Sequence, residues 1–228
     1  LDDATPYVSA SPVHRVWFAA DDPRFDELVE KRAVTSFHDY GSFLVATVDE
    51  RTLGGRGAFL ALGLAIEDRM GVVGFNAAAL DTADPAALAR TFAAIPAGLR
   101  GDDDGARPGK RLVVLQFAGP IKDAWLEELA TTGAKIVTYM AENAYVLSVE
   151  ESARAATAEF AARPFVAWTG DYRPWFKVSP DLRADLAIGD GLVEATVQVI
   201  ADRDALAVVD ALVASFESVR PAEESAPY

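Results

Sequence analysis

The chain of 228 residues contains no cysteine, two histidines and two methionines. Without cysteine there are no disulfides and no thiolate chemistry, an absence compatible with either a reducing or an oxidising compartment. Positive charge is scarce as well: 21 Lys and Arg stand against 35 Asp and Glu, for a net charge of -14. Nucleic acid and anionic membrane surfaces both demand a basic footprint, so neither is an expected partner. No apolar run reaches the ~20 residues that a membrane span needs. Neither Asn76 nor Asn143 carries the acceptor sequence for N-glycosylation. Leu1–Pro6 reads as the polar start left after a signal peptide is removed.

The same scarcities narrow the chemistry. A Ser-His-Asp triad must use His14 or His38. His38, Asp39 and Ser42 are the right residue types, but neighbours in one hairpin seldom assemble a triad, and His38 reads as a turn-lining residue. No cluster of His, Cys or carboxylates has metal-ligand spacing, so no metal is expected. Asp102–Gly105 lacks the alternating ligands and closing glutamate of a calcium loop and reads as a solvated linker. Gly54–Gly57 lacks the Lys-Ser/Thr of a phosphate loop and reads as a turn before a helix. No catalytic residue and no cofactor is assigned.

What is present is a hydrophobic fraction of 51 %, ample for real cores, and a recurring order of elements. Leu112–Ala118 is an apolar run stopped by Gly119-Pro120, which predicts a buried strand. Ile121, Trp125, Leu126 and Leu129 follow at helical spacing, with Gly133 at the C-cap position. Lys135–Met140 and Ala144–Val149 are β-rich runs separated by Ala141–Asn143, a predicted hairpin. An Ala-rich helix from Glu151 to Ala162, acidic at its start, is closed by Arg163-Pro164 before the strand Phe165–Trp168. That order is the split βαβ, or ferredoxin-like, unit.

An earlier copy starts at His14–Ala20, continues with a helix opened by Asp22-Pro23, and turns through Val34–Asp39 and Ser42–Val48. A helix around Ala58–Met70 and a strand around Gly71–Phe75 are predicted to complete it. A third copy begins with a strand over Leu192–Ile200 and a helix capped by Asp204, then stops. The predicted fold class is α+β: tandem ferredoxin-like (βαββαβ) domains, antiparallel sheets with helices on one face, third unit incomplete. Domain 1 is assigned to 1-99, a polar linker to 100-109, domain 2 to 110-178, and a linker plus half a βα unit to 179-228. A lone strand and helix cannot close a core, so the segment either packs on the second domain or has its missing half on another polypeptide, and the latter is favoured. Trp168, Tyr172, Trp175 and Phe176 fall where the chain leaves the second sheet. They read either as anchors for a protein partner or as a cover for the open end of their own core.

Leu115–Trp125, Val137–Val146 and Trp168–Lys177 resemble the N-terminal pro-regions of secreted bacterial subtilisin-like serine peptidases, and Asp39–Phe43 is similar to an earlier part of the same pro-regions. Ala144–Trp168 resembles, more loosely, the short inhibitor propeptides of subtilisins. The resemblance covers about His14 to Lys177. It implies a secreted or periplasmic propiece that templates folding of a subtilisin-like catalytic domain from the same precursor, blocks it, and is cleaved on maturation. In that family the sheet packs on the enzyme and the propeptide's C-terminus lies in the substrate cleft, a role that would fall to Ala226, Pro227 and Tyr228. The chain departs from the short propeptides by running well past Trp168, and Tyr228 reads equally as a nick in a third domain. The family's glycine-flanked histidine and Gly-Thr-Ser turn are absent, so no hydrolysis is expected of this chain alone.

Rival readings remain. A free-standing protease inhibitor would use the same surface. A ferredoxin-like module binding small ligands or another copy lacks convergent polar groups around an apolar pocket. An enzyme comes last, because no acid and base are supplied.

Overall fold

The computed structural model describes residues 7–75, 78–101, 109–188 and 193–216. The architecture is α+β with antiparallel sheets. The chain falls into two compact units, Leu1–Ser179 and Pro180–Tyr228.

In the first unit, β1 (Val13–Ala19) leads to α1 (Pro23–Glu30), whose start is fixed by Asp22 accepting the Arg24 N–H and by a proline in the first turn. The hairpin β2 (Val34–Asp39) and β3 (Phe43–Asp49) follows, turning through Gly41 at φ 83, a conformation that favours glycine. Next come α2 (Arg56–Ala61) and β4 (Ala65–Ile66). The sheet order is β2-β3-β1-β4, with Val16 opposite Ala46 on one side and Ile66 on the other. Val16, Phe18, Leu44, Ala46 and Val48 form the buried face and pack with Leu28 and Phe59 of the two helices.

The helix predicted over Ala58–Met70 is thus much shorter, and the closing strand is Ala65–Ile66 rather than Gly71–Phe75. Gly63 sits at φ 60 just past the helix end and lets the chain turn there, as a glycine after a C-cap does. Val72–Gly74 does form a strand, β5, but it pairs with β6 (Ala79–Asp81) in a separate two-stranded sheet. After β6, Asp84 caps α3 (Pro85–Ala94) by accepting the N–H groups of Ala86 and Ala87.

The second four-stranded sheet comprises β7 (Arg111–Phe117), β8 (Lys135–Met140), β9 (Ala144–Val149) and β10 (Val166–Asp171), in the order β10-β7-β9-β8. Its helices are α4 (Asp123–Thr131) and α5 (Arg154–Ala161). Alternation along the strands sends side chains to two faces. Leu115, Phe117, Leu147 and Val149 meet Trp125, Leu129 and Phe160 on the helical face. Val114, Ala144 and Val146 point the other way, and that face is covered too: Val73, Phe75, Leu80 and Ile95 lie against it. Residues 72–99, read from the sequence as the end of the first domain, therefore act as a strap across the second sheet.

The second unit contains α7 (Pro180–Ile188) and α8 (Ala205–Ser215). The strand predicted over Leu192–Ile200 does not form: residues 193–200 have no regular structure. Its alternating pattern is present, but an isolated strand has no ladder to satisfy its backbone.

Candidate functional site

The aromatic segment after the second sheet turns inward. Beyond β10 the chain makes the short helix α6 (Pro174–Lys177), and Phe176 is buried at 1 % exposure. Its ring stacks on Phe75 at 4.2 Å and meets the edge of Phe92 at 6.4 Å. Tyr172 also stacks on Phe75, at 6.0 Å, and burial raises its hydroxyl above the usual tyrosine value. Trp168, Tyr172 and Trp175 are half-buried against the same cluster. The Trp168 indole lies over Gly170, where a Cβ would come within 2.6 Å of the ring. The Arg173 guanidinium sits 4.8 Å from the Phe92 ring. The structure thus brings all four aromatics together around the strap, closes Phe176 off, and leaves the other three with partial exposure. Ala226, Pro227 and Tyr228 lie outside the described residues.

The two large sheets meet at a second place. The β2-β3 turn docks on the loop before α4: the Tyr40 hydroxyl donates to the Pro120 carbonyl at 2.8 Å, and Lys122 Nζ donates to the Asp39 carbonyl. Tyr40 stacks on Phe43 at 4.6 Å, and Lys122 lies over the Tyr40 ring at 4.5 Å. Burial pushes the Tyr40 hydroxyl up to about 12. His38 meets Trp125 edge-on at 5.4 Å. Burial first, then the charges of Lys122 and Arg15, lower it below the ordinary histidine value and favour the neutral ring. The Asp39 carboxylate accepts the Gly41 N–H at 2.6 Å and serves the turn. His38 lies within β2 opposite Val45 rather than in the turn, and no hydrogen bond joins it to Ser42 or Asp39 among the described residues.

His14, passed over in the sequence, occupies the more telling position. On β1 it shares the buried face with Val16 and Phe18, is fully enclosed, and stacks on Phe59 at 4.4 Å. Nδ1 lies 2.7 Å from Asp68 Oδ2, and Nε2 lies 2.9 Å from Glu50 Oε2. Asp68 also accepts the Ser9 and Arg15 backbone N–H groups, each at 2.8 Å. Glu50 also accepts from Arg56 Nε at 3.2 Å, and the same Arg56 donates to the Ser9 and Ser11 carbonyls. Arg56 belongs to the Gly54–Gly57 turn and is committed to this internal network. The period of two along Val13–Ala19 was the signal for it, because a histidine on a core face must find partners.

From this cluster a polar chain runs to the second sheet. The Arg15 guanidinium, pushed down to about 10 by burial against the pull of Asp68 and Asp81, donates to the Met70 carbonyl at 2.7 Å. Gln116 of β7, fully buried, donates to the same carbonyl at 2.9 Å and to the Glu142 carbonyl at 3.1 Å, and accepts from Thr82 of the strap. These groups are mutually satisfied donors and acceptors, an arrangement that fixes geometry rather than one poised to react.

Among the described residues no group of three or more His, Asp or Glu is placed to hold a metal, and no helix is long and apolar enough to cross a membrane. No curated protein and no solved structure matches the chain. A family model described as "Domain of unknown function (DUF8729)" matches residues 75–173, a span that takes in β6 and α3 of the strap together with all four strands of the second sheet.

Proposed function

We propose that the chain is the non-catalytic pro-region of a subtilisin-like serine peptidase, assisting the folding of the catalytic domain and restraining it until cleavage. The observation that carries this reading is the strand order. In each large sheet the first strand is flanked by the third and fourth, the second lies at the edge, and two helices cover one face. That order supports a reading as two ferredoxin-like units in tandem, on a chain whose segments resemble such pro-regions. The partner is the subtilisin-like domain, the compartment extracellular or periplasmic.

The strap changes how such docking would be made. With the outer face of the second sheet covered, the surface left to a protein partner is the β8 edge, where Ile136 and Tyr139 are 47 % and 53 % exposed, and the rim formed by Trp168, Tyr172 and Trp175. The closed face also favours a second reading, a free-standing inhibitor or protein-binding module that keeps its own sheet dry.

Two measurements separate them. Purification from the native source, followed by intact mass spectrometry, yields a co-purifying polypeptide with a Gly-Thr-Ser turn if the first reading holds. Added to that catalytic domain, the purified chain slows peptide hydrolysis and speeds refolding of the denatured enzyme. A chain that purifies alone and leaves subtilisin-like hydrolysis untouched belongs to the second reading.

A further inference from the structure

We propose that α8 is a docking helix whose seam of Leu206, Val209, Val213 and Phe216 receives an amphipathic helix of a protein partner, one carrying Lys or Arg beside its own apolar stripe. This rests on the second unit alone and is independent of the pro-region reading.

The need for an occupant follows from the composition of the helix. In α8 the one charged side chain is Asp210, and the remaining residues are Ala, Val, Leu and Ser. A helix apolar around most of its circumference is ordinarily enclosed. This one is open: Leu206 is 81 % exposed, Val209 41 %, Val213 51 %, and Phe216, at the C-cap, 51 %. Asp204 at the N-cap makes no side-chain capping bond, and a helix of 11 residues is marginal in water until something packs on it. Residues 193–200, just before it, have no regular structure, and Val193 and Val197 are exposed as well.

Spacing fixes the form of the occupant. Positions 206, 209, 213 and 216 are the a and d positions of successive heptads, so their side chains line one seam. Such a seam takes another helix, because the side chains of an extended peptide repeat every second residue and fall out of step with it. Charge decides which helix. In this register Asp210 and, one heptad further along the sequence, Glu217 fall at e positions on the same flank. Asp202 and Asp204 precede them with a single Arg203, which lies 3.7 Å from Asp204. In a second copy of α8 the e positions would face each other in an antiparallel pair, or Ala205 and Leu212 in a parallel one, so no cation would answer them. An anionic membrane surface would repel the same carboxylates. A helix with basic flanks meets both the seam and its charge.

The test uses the whole chain and two labelled synthetic peptides of about four heptads, with Leu at a and d in both, and Lys at e and g in one and Glu there in the other. Fluorescence anisotropy should show the Lys-flanked peptide binding at least about tenfold more tightly than the Glu-flanked one. Val213→Asp weakens that binding more than about tenfold, although it adds negative charge and would strengthen an attraction due to charge alone. Leu206→Gln weakens it too, whereas Val29→Asp, an exposed position on α1, leaves it unchanged. Both α8 variants keep the unfolding midpoint of the wild type. The proposal is overturned if neither peptide binds, if the Glu-flanked peptide binds as tightly, or if Val213→Asp binds as well as wild type. A chain that sediments as a dimer and becomes a monomer on Val213→Asp gives the seam to a second copy, and a midpoint that falls with Val213→Asp gives it to the chain's own core; either result also overturns the proposal.

Discussion

Gly119 stands where the two sheets touch, and its lack of a side chain is a matter of space: an added Cβ would lie 2.8 Å from the Tyr40 hydroxyl. Gly119→Ala is expected to destabilise by about 1–3 kcal/mol through overpacking. Tyr40→Phe removes the obstructing oxygen along with its bond to Pro120, so in that background Gly119→Ala costs less than it does alone; a double-mutant cycle in denaturant measures the coupling. Acid sensitivity is also set by single side chains. The Asp49 carboxyl, accepting from the Arg51 side chain and backbone, is held below the usual carboxylate range, as Asp22 is by Arg24. A depressed folded value stabilises above the unfolded value of about 3.9, and that contribution is lost as pH falls through the folded one. The effect is small because Arg51 is exposed. Asp49→Asn should accordingly be slightly less stable than wild type near neutrality and converge with it below about pH 4 in acid unfolding.

At the scale of elements, one of the contacts that hold the strap is Phe75 on Phe176, stacked at 4.2 Å. Phe176→Ala is expected to cost about 3–5 kcal/mol and to expose the half-buried Trp168 and Trp175, read as a red shift of tryptophan emission with an earlier unfolding midpoint. The second sheet was legible in the sequence because its strands are largely apolar, Gly119-Pro120, Gly133 and Pro164 punctuate the elements, and Asn143 reaches the left-handed φ of 56 that its hairpin needs. The strap was not. Asp84-Pro85 announces a helix start, but periodicity says which face of α3 is apolar and nothing about which sheet receives it. The aromatic segment was legible as a cluster, and its partner, Phe75, lies roughly a hundred positions earlier in the chain. His14 was readable as a buried residue from the period of two. Its carboxylate partners come from two turns, where no regular spacing marks them.

At the scale of the molecule, Leu1–Ser179 is one compact unit in which both large sheets share the polar chain through Met70 and Gln116. Removing residues 180–228 should leave a fragment that unfolds in one cooperative transition with an unchanged midpoint, checked by calorimetry. The third element pair was predicted from an alternating run that is there in the sequence, yet 193–200 stays irregular because strands are stabilised by neighbours and not by their own pattern. The strap also separates covalent order from spatial order. A cut made between Gly101 and Gly109 would put β6 and α3 on one piece and the sheet they cover on the other. The pieces should then co-elute as a complementing pair, each holding a surface the other keeps dry, so the chain could be severed there without being taken apart.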